Sequence, residues 1–243
     1  MRFNETLKAL LGSFLLVCLF VFCLWALSGG GNRKERADAG VVDQVLHLAN
    51  GTEPEDIDPH ITTGVSEHFI QLALIEGLVA EDPKDLHPVP GVAKSWDISE
   101  DGTVYTFYLR DAKWSNSEPI TAEDFVLSYK RALAPRLANE YASMLFHAVN
   151  AREYYNGEIT DFDQVGFKAI DDKTLEIRLN YSTPFFLSLL NHHSWYPVHV
   201  PTILKYGAMD DRRNTWSRPG NFVGNGPFVL DEWKINNVLT VRK

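Results

Sequence analysis

Cysteine is nearly absent from this chain. Its 243 residues hold two, Cys18 and Cys23, both inside one apolar run near the start. Beyond Ser28 there is none, which excludes disulfides, thiolate metal sites and cysteine nucleophiles from the rest of the chain. Positive charge is short as well: 23 Lys and Arg against 32 Asp and Glu leave a net charge of −9. A protein that grips phosphate backbones needs a basic footprint, so nucleic acid is excluded as a partner. The G-x-S-x-G elbow, the H-E-x-x-H zinc helix and the phosphate loop are missing too. Gly220, Gly224 and Gly226 are wrongly spaced for a dinucleotide fingerprint and read as turn glycines. Glycine and proline, 16 and 12 residues, are too few for a low-complexity chain, and 12% aromatics argues against disorder.

What is present begins with an export address. Arg2 and Lys8 precede Ala9 to Leu27, 19 residues without a charge, and Ala26-Leu27-Ser28 offers a small-x-small cleavage site. The run lies between the about 7–15 residues of a signal core and the about 20 of a membrane span. Residues 1–28 are therefore expected to be a signal peptide or a retained anchor, which would touch the membrane if uncleaved. Arg33, Lys34 and Arg36 follow the run, so basic residues flank both sides and set no orientation. Val17 and Phe22 precede the two cysteines where lipidation needs a small residue, so no lipid anchor is expected. Residues 29–40 read as a flexible linker, and the remainder as exported to the periplasm or cell envelope.

From Val41 onward, strand and helix signals alternate irregularly, which predicts an α+β class with mixed sheets. Val45–Ala49 reads as a short strand, followed by an acidic loop through Asp58. Ser66 is expected to cap a helix burying Phe69, Ile70, Ala73 and Leu74, with Gly77 as its stop. Val104–Leu109 alternates as a half-buried strand entered by the turn Glu100-Asp101-Gly102. Thr121 and Asp124 form a capping box for a helix with Phe125, Val126, Tyr129 and Leu133 inward. A helix is expected over Glu140–Tyr155, then a hairpin over Val165–Ile170 and Thr174–Leu179. Short helices are predicted at Thr183-Pro184 and Pro201–Tyr206. A last hairpin turns at Asn236-Asn237, and the chain stops in its second strand, which reads as a fragment.

Chemistry is sparse. His192, His193 and His199 cluster in sequence, and His60 and His68 flank Gly64, but no spacing completes a ligand set, so no metal is expected. The run Glu53-Pro54-Glu55-Asp56-Ile57-Asp58 lacks the order of a calcium loop and reads as solvated. Trp96, Trp114, Trp195, Trp216 and Trp233 suit a core, or a clamp on a ligand.

The order of segments then becomes informative. Asp58-Pro59-His60, Ile75-Glu76-Gly77-Leu78 and the run His87 to Trp96 follow one another. Tyr105 to Ser115, Pro119 to Val126, Ala169 to Asp172 and Gly224-Asn225-Gly226-Pro227-Phe228 come next. Together they resemble the solute-binding proteins of peptide ABC importers, solute-binding family 5, over essentially all of Val41 to Lys243. Tyr141-Ala142-Ser143 makes the resemblance closest to the oligopeptide-binding branch.

That resemblance implies a periplasmic-binding-protein-like fold, type II, cluster C. It places residues 41–76 and 200–243 in an incomplete lobe I and residues 77–199 in an inserted extra domain, with the C-terminal lobe missing. It implies a monomeric, non-enzymatic receptor without cofactor that captures oligopeptides and delivers them to a membrane permease. Main-chain groups of Thr63, Gly64 and Val65 would pair with the peptide backbone, and the Tyr141 hydroxyl would reach the ligand. Gly64 would permit close approach of the two backbones. Thr63 departs from the acidic residue of the best-known oligopeptide binders, and Asn116-Ser117 from the usual Asp-Gly turn. Three alternatives stand beside this reading. They are a family member for nickel, haem or an oligosaccharide, an exported hydrolase, and a truncated fragment that binds peptide weakly or not at all.

Overall fold

The structure, a computed structural model, describes residue 40 and residues 44–243. The chain divides into Met1–Ala49 and Asn50–Lys243. The expected signal or anchor (1–28) lies outside the described residues, as does all but residue 40 of the linker (29–40). Among the described residues no helix is long and apolar enough to cross a membrane. Val45–Ala49, expected as a strand, joins no ladder among the described residues, and Val45, Leu46 and Leu48 are exposed. A short apolar run alone does not make a strand; a partner edge must take up its hydrogen bonds.

In the second unit, α1 (Val65–Leu74) leads into a small hairpin of β1 (Val79–Glu81) and β2 (Pro88–Pro90). The prolines sit in the two-stranded pair, where a missing N–H costs little. The main sheet has the order β3-β4-β6-β5, built from Ala93–Ile98, Val104–Leu109, Thr174–Arg178 and Phe167–Asp171. Its strands, and β7 (Val229–Lys234) with β8 (Val238–Arg242), are all antiparallel, so the sheets are not mixed among the described residues.

The helix α2 (Ala122–Ala132) starts as its sequence dictates: Thr121 donates its N–H to the Asp124 carboxylate at 2.8 Å, closing the capping box. It lays Phe125, Tyr129 and Leu133 on the sheet, with Tyr129 against Phe167 and Trp195 at ring separations of 4.7 and 5.3 Å. The one long helix expected over Glu140–Tyr155 is broken. A 3-10 turn over Ala142–Leu145 and α3 (Ala151–Tyr155) are separated by Asn150, whose φ is +58°. Between them Ala148 bridges to Leu179 and the Val149 N–H donates to Arg178 O, so pairing with the sheet replaces helical bonds. Two short helices follow, α4 (Phe186–Leu189) and α5 (Val200–Tyr206). The largest core gathers residues from Leu78 to Trp195; two smaller ones draw on Ile57, Leu74 and Ile75 and on residues 196–230.

Two motifs take meanings other than those expected. Gly224 and Gly226 are not turn glycines with positive φ. They press on the end of α1, where an added Cβ would meet Leu74 O at 2.2 Å and Ile75 N at 2.5 Å. Between them Asn225 accepts from the Glu76 N–H and donates to Glu76 O, clamping the strand lead to the helix end. The acidic loop is not simply solvated either. Asp56 pairs with Arg218, Glu53 accepts from the Trp233 indole, and Asp58 is 2% exposed.

Asp58 is ion-paired with Arg131 of α2, which is itself fully buried. Burial alone would raise the Asp58 carboxyl; the Arg131 charge and hydrogen bonds, helped by His60, hold it below the usual carboxylate range. Trp216 Nε1 donates to Asp58 Oδ2 at 3.1 Å, and Arg131 Nε donates to Met209 O at 2.7 Å. Arg131 also donates to His60 Nδ1, which leaves His60 Nε2–H to donate to Tyr196 O at 3.0 Å. His60 is therefore held neutral, its pKa lowered to about 3 by burial and by the neighbouring guanidinium.

Two predictions follow from the fold. Ser117 has a φ of +74° in the tight turn whose N–H bonds Trp114 O. A left-handed non-glycine costs about 1–3 kcal/mol and a glycine's extra entropy about 0.5–1. Ser117→Gly should thus stabilise by about 0.5–1 kcal/mol in urea titrations. The unfolded chain takes a proton on His60 below about pH 6.5, while the folded chain refuses it until about pH 3. Stability therefore falls as pH drops through that window, with about 2 kcal/mol lost from His60 by pH 5. A urea midpoint unchanged between pH 7 and pH 5 would contradict this.

Candidate ligand-binding site

The loop carrying Asp58 sets where the chain emerges. Thr62 Oγ1 donates to Asp58 O at 3.0 Å and accepts from Gln71 Nε2 at 2.7 Å, tying the loop to α1. Thr63, Gly64 and Val65 then turn outward, Thr63 and Val65 exposed. The helix starts at Val65 with Gly64 as its N-cap, two residues earlier than the expected Ser66 cap. Phe69, expected inward, is exposed; Glu67, Gln71 and Leu74 take the buried face because polar partners await them. Glu67 accepts from the Glu55 N–H and from Ser66 Oγ. Gly64 has an ordinary φ of −90°, and its missing Cβ leaves room for Glu67, whose carboxylate oxygen lies 2.0 Å from where that Cβ would be.

The N–H groups of Thr63, Gly64 and Val65 have no hydrogen-bond partner among the described residues. Opposite them stands an aromatic wall. The Tyr141 ring meets His192 and His193 edge-on at 4.8 and 5.4 Å, and its hydroxyl reaches Thr63 O at 3.5 Å. His193 Nδ1–H donates to Pro59 O at 2.8 Å, and His68 lies 5.9 Å from His193. The β1–β2 hairpin closes a third side. The cavity between them has a volume of about 1040 Å³, and Thr63, Gly64, Val65 and Tyr141 all line it. The structure thus brings together every site residue expected from the sequence. Sequence reasoning took His68, His192 and His193 as surface or hydrogen-bonded histidines and not metal ligands, and it missed Glu81, Arg110 and Tyr196, which share the same walls.

The cleft histidines are neutral near pH 7. His192 is lowered to about 4 by burial and by His193 and His68 beside it; burial lowers His193 and His68 as well. They hold no metal geometry: among the described residues only Asp82, Asp85 and His87 bring ligand atoms within 4.8 Å of one another, on the exposed hairpin. His199 sits elsewhere, buried, between Glu118 and Thr202. That hydroxyl–imidazole–carboxylate line imitates a nucleophile set, but Thr202 is 3% exposed and lines no part of the cleft.

Comparison with known proteins gives the family. Residues 87–243 match the family model described as "Bacterial extracellular solute-binding proteins, family 5 Middle". The periplasmic oligopeptide-binding protein OppA of Escherichia coli (strain K12) is 43% identical over 223 residues, covering 88% of this chain and 39% of the relative. The crystal structure of Haemophilus influenzae OppA in complex with RPPGFSPFR superposes with a TM-score of 0.72 at 36% identity, over 78% of this chain and 36% of that one. The substrate-binding domain of an oligopeptide ABC transporter from Bacillus anthracis str. Ames gives 0.75 at 37% identity, over 81% and 37%. The chain thus spans about two fifths of the length of these relatives, which are named as binding proteins and not as enzymes. The fold is periplasmic-binding-protein-like, and the chain belongs to the bacterial extracellular solute-binding proteins of family 5.

Proposed function

We propose that this chain supplies one wall of an exported receptor that captures oligopeptides and delivers them to an ABC transporter permease, without chemistry of its own. The observation that carries the reading is the run of three unpartnered main-chain N–H groups, Thr63 to Val65, on the rim of a cleft of about 1040 Å³. Such a run offers what an extended peptide needs, donors for repeating carbonyls, and it ignores side chains. The relatives named for oligopeptide binding support the same substrate class.

In this reading residues 50–76 and 200–243 form one lobe and residues 77–199 an inserted domain. The separation of the large core, Leu78 to Trp195, from the two smaller ones supports that division. A second lobe would close over the peptide by hinge motion. Tyr141, from the inserted domain, would trade its long bond to Thr63 O for the ligand.

Native mass spectrometry of the protein purified from its own cell envelope tests the reading. A ladder of short-peptide adducts is expected. A metal, haem or sugar adduct in their place would overturn the substrate class while leaving the fold intact.

A further inference from the structure

The charges around the cleft do not balance. Glu76, Glu81, Asp82 and Arg110 are its charged lining residues, and Arg110 is spent on an ion pair with Glu76. Asp82 accepts the Lys84 N–H in the hairpin turn. Glu81 is different: its carboxylate has no hydrogen-bond or ion-pair partner among the described residues, and it stands exposed at the end of β1. It lines the same cavity as His68 and Tyr196.

His68, which shares the lining with Glu81, does not neutralise it. Burial outweighs the attraction of Glu81 and keeps that imidazole below its ordinary pKa, hence uncharged near pH 7. His192 and His193 are uncharged for the same reason. The wall therefore holds a fixed negative charge beside neutral imidazoles and the apolar Leu72, Val79 and Ile75. A long side chain with an apolar stem and a cationic tip suits such a surface: the stem packs and the tip meets the carboxylate.

We infer that Glu81 is a specificity-determining residue that selects ligands carrying a lysine- or arginine-type side chain in the half of the cleft between α1 and the β1–β2 hairpin. The inference rests on the peptide-receptor reading above and adds a preference that main-chain pairing cannot give, since backbone donors treat all side chains alike.

The test is calorimetric titration of the protein as purified from its envelope, stripped of bound peptide, with two isosteric tripeptides, Ala-Lys-Ala and Ala-norleucine-Ala. Wild type should bind the lysine peptide more tightly, and the difference should shrink as salt is raised. Glu81→Gln should weaken the lysine peptide about fivefold, the scale of a partly exposed ion pair, and leave the norleucine peptide unchanged. Glu81→Lys should reverse the preference. Because the residue is exposed, both variants are expected to melt with wild type, which circular dichroism checks. Equal loss for both peptides, or no loss for either, overturns the role of Glu81 and leaves the receptor reading standing. Absence of any peptide binding by wild type overturns the receptor reading and this inference with it.

Discussion

The ion pair between Asp58 and Arg131 is the constraint on which the cleft depends. Taking two charges out of water is costly, and the pair survives only because nearly every polar atom around it is used. Asp58 accepts from Arg131 with both oxygens, from the His60 N–H and from the Trp216 indole. Arg131 also donates from Nε to Met209 O and from Nη1 to His60 Nδ1. Three stretches of chain far apart in sequence are thereby fixed to one point: the loop at 58–60, α2 and the segment from 209 to 216. Removing one partner of such a pair costs roughly 3–5 kcal/mol, because the other is left charged and dry. A pair of apolar residues would fill the space but would not dictate the register of the loop.

Register is what the cleft needs. Asp58 O holds Thr62, Pro59 O accepts from His193, and Tyr196 O accepts from His60. The same few residues thus fix the rim that carries the free N–H groups and the aromatic wall that faces it. A peptide would meet donors already in place, which lowers the ordering cost of binding. In the proposed reading two kinds of recognition would divide the surface: main-chain donors at Thr63 to Val65 would be indifferent to side chains, whereas Glu81 would not.

Much of the fold was legible in the sequence. Period-two alternation in Val104–Leu109 and the Thr121–Asp124 box are local signals, and the sheet and α2 obey them. The hairpins at Asp171-Asp172 and Asn236-Asn237 form as expected for the same reason. Local signals failed where a distant partner decides. Glu140–Tyr155 has a helical pattern, yet residues 148 and 149 are claimed by the sheet. Phe69 has the right spacing to be buried, yet Glu67 and Gln71 have buried partners and take its place. Of the cavity lining, Thr63, Gly64, Val65 and Tyr141 were picked out through family resemblance. Glu81 lies in a proline-rich stretch with no periodic signal, and it joins the cleft lining only through the β1–β2 hairpin that carries it. Asp58 looked like one acid among many, because nothing local announces an arginine 73 residues away.

The central claim is that the main chain at Thr63 to Val65, held by the buried pair, reads the ligand's backbone. Hydrogen exchange followed by mass spectrometry, with and without a saturating tripeptide, tests it most directly. The account predicts slowed exchange at the amides of residues 63–65, while amides around Asp58 and along α2 are already slow without ligand. Binding that leaves exchange at 63–65 unchanged and slows it elsewhere would contradict the account.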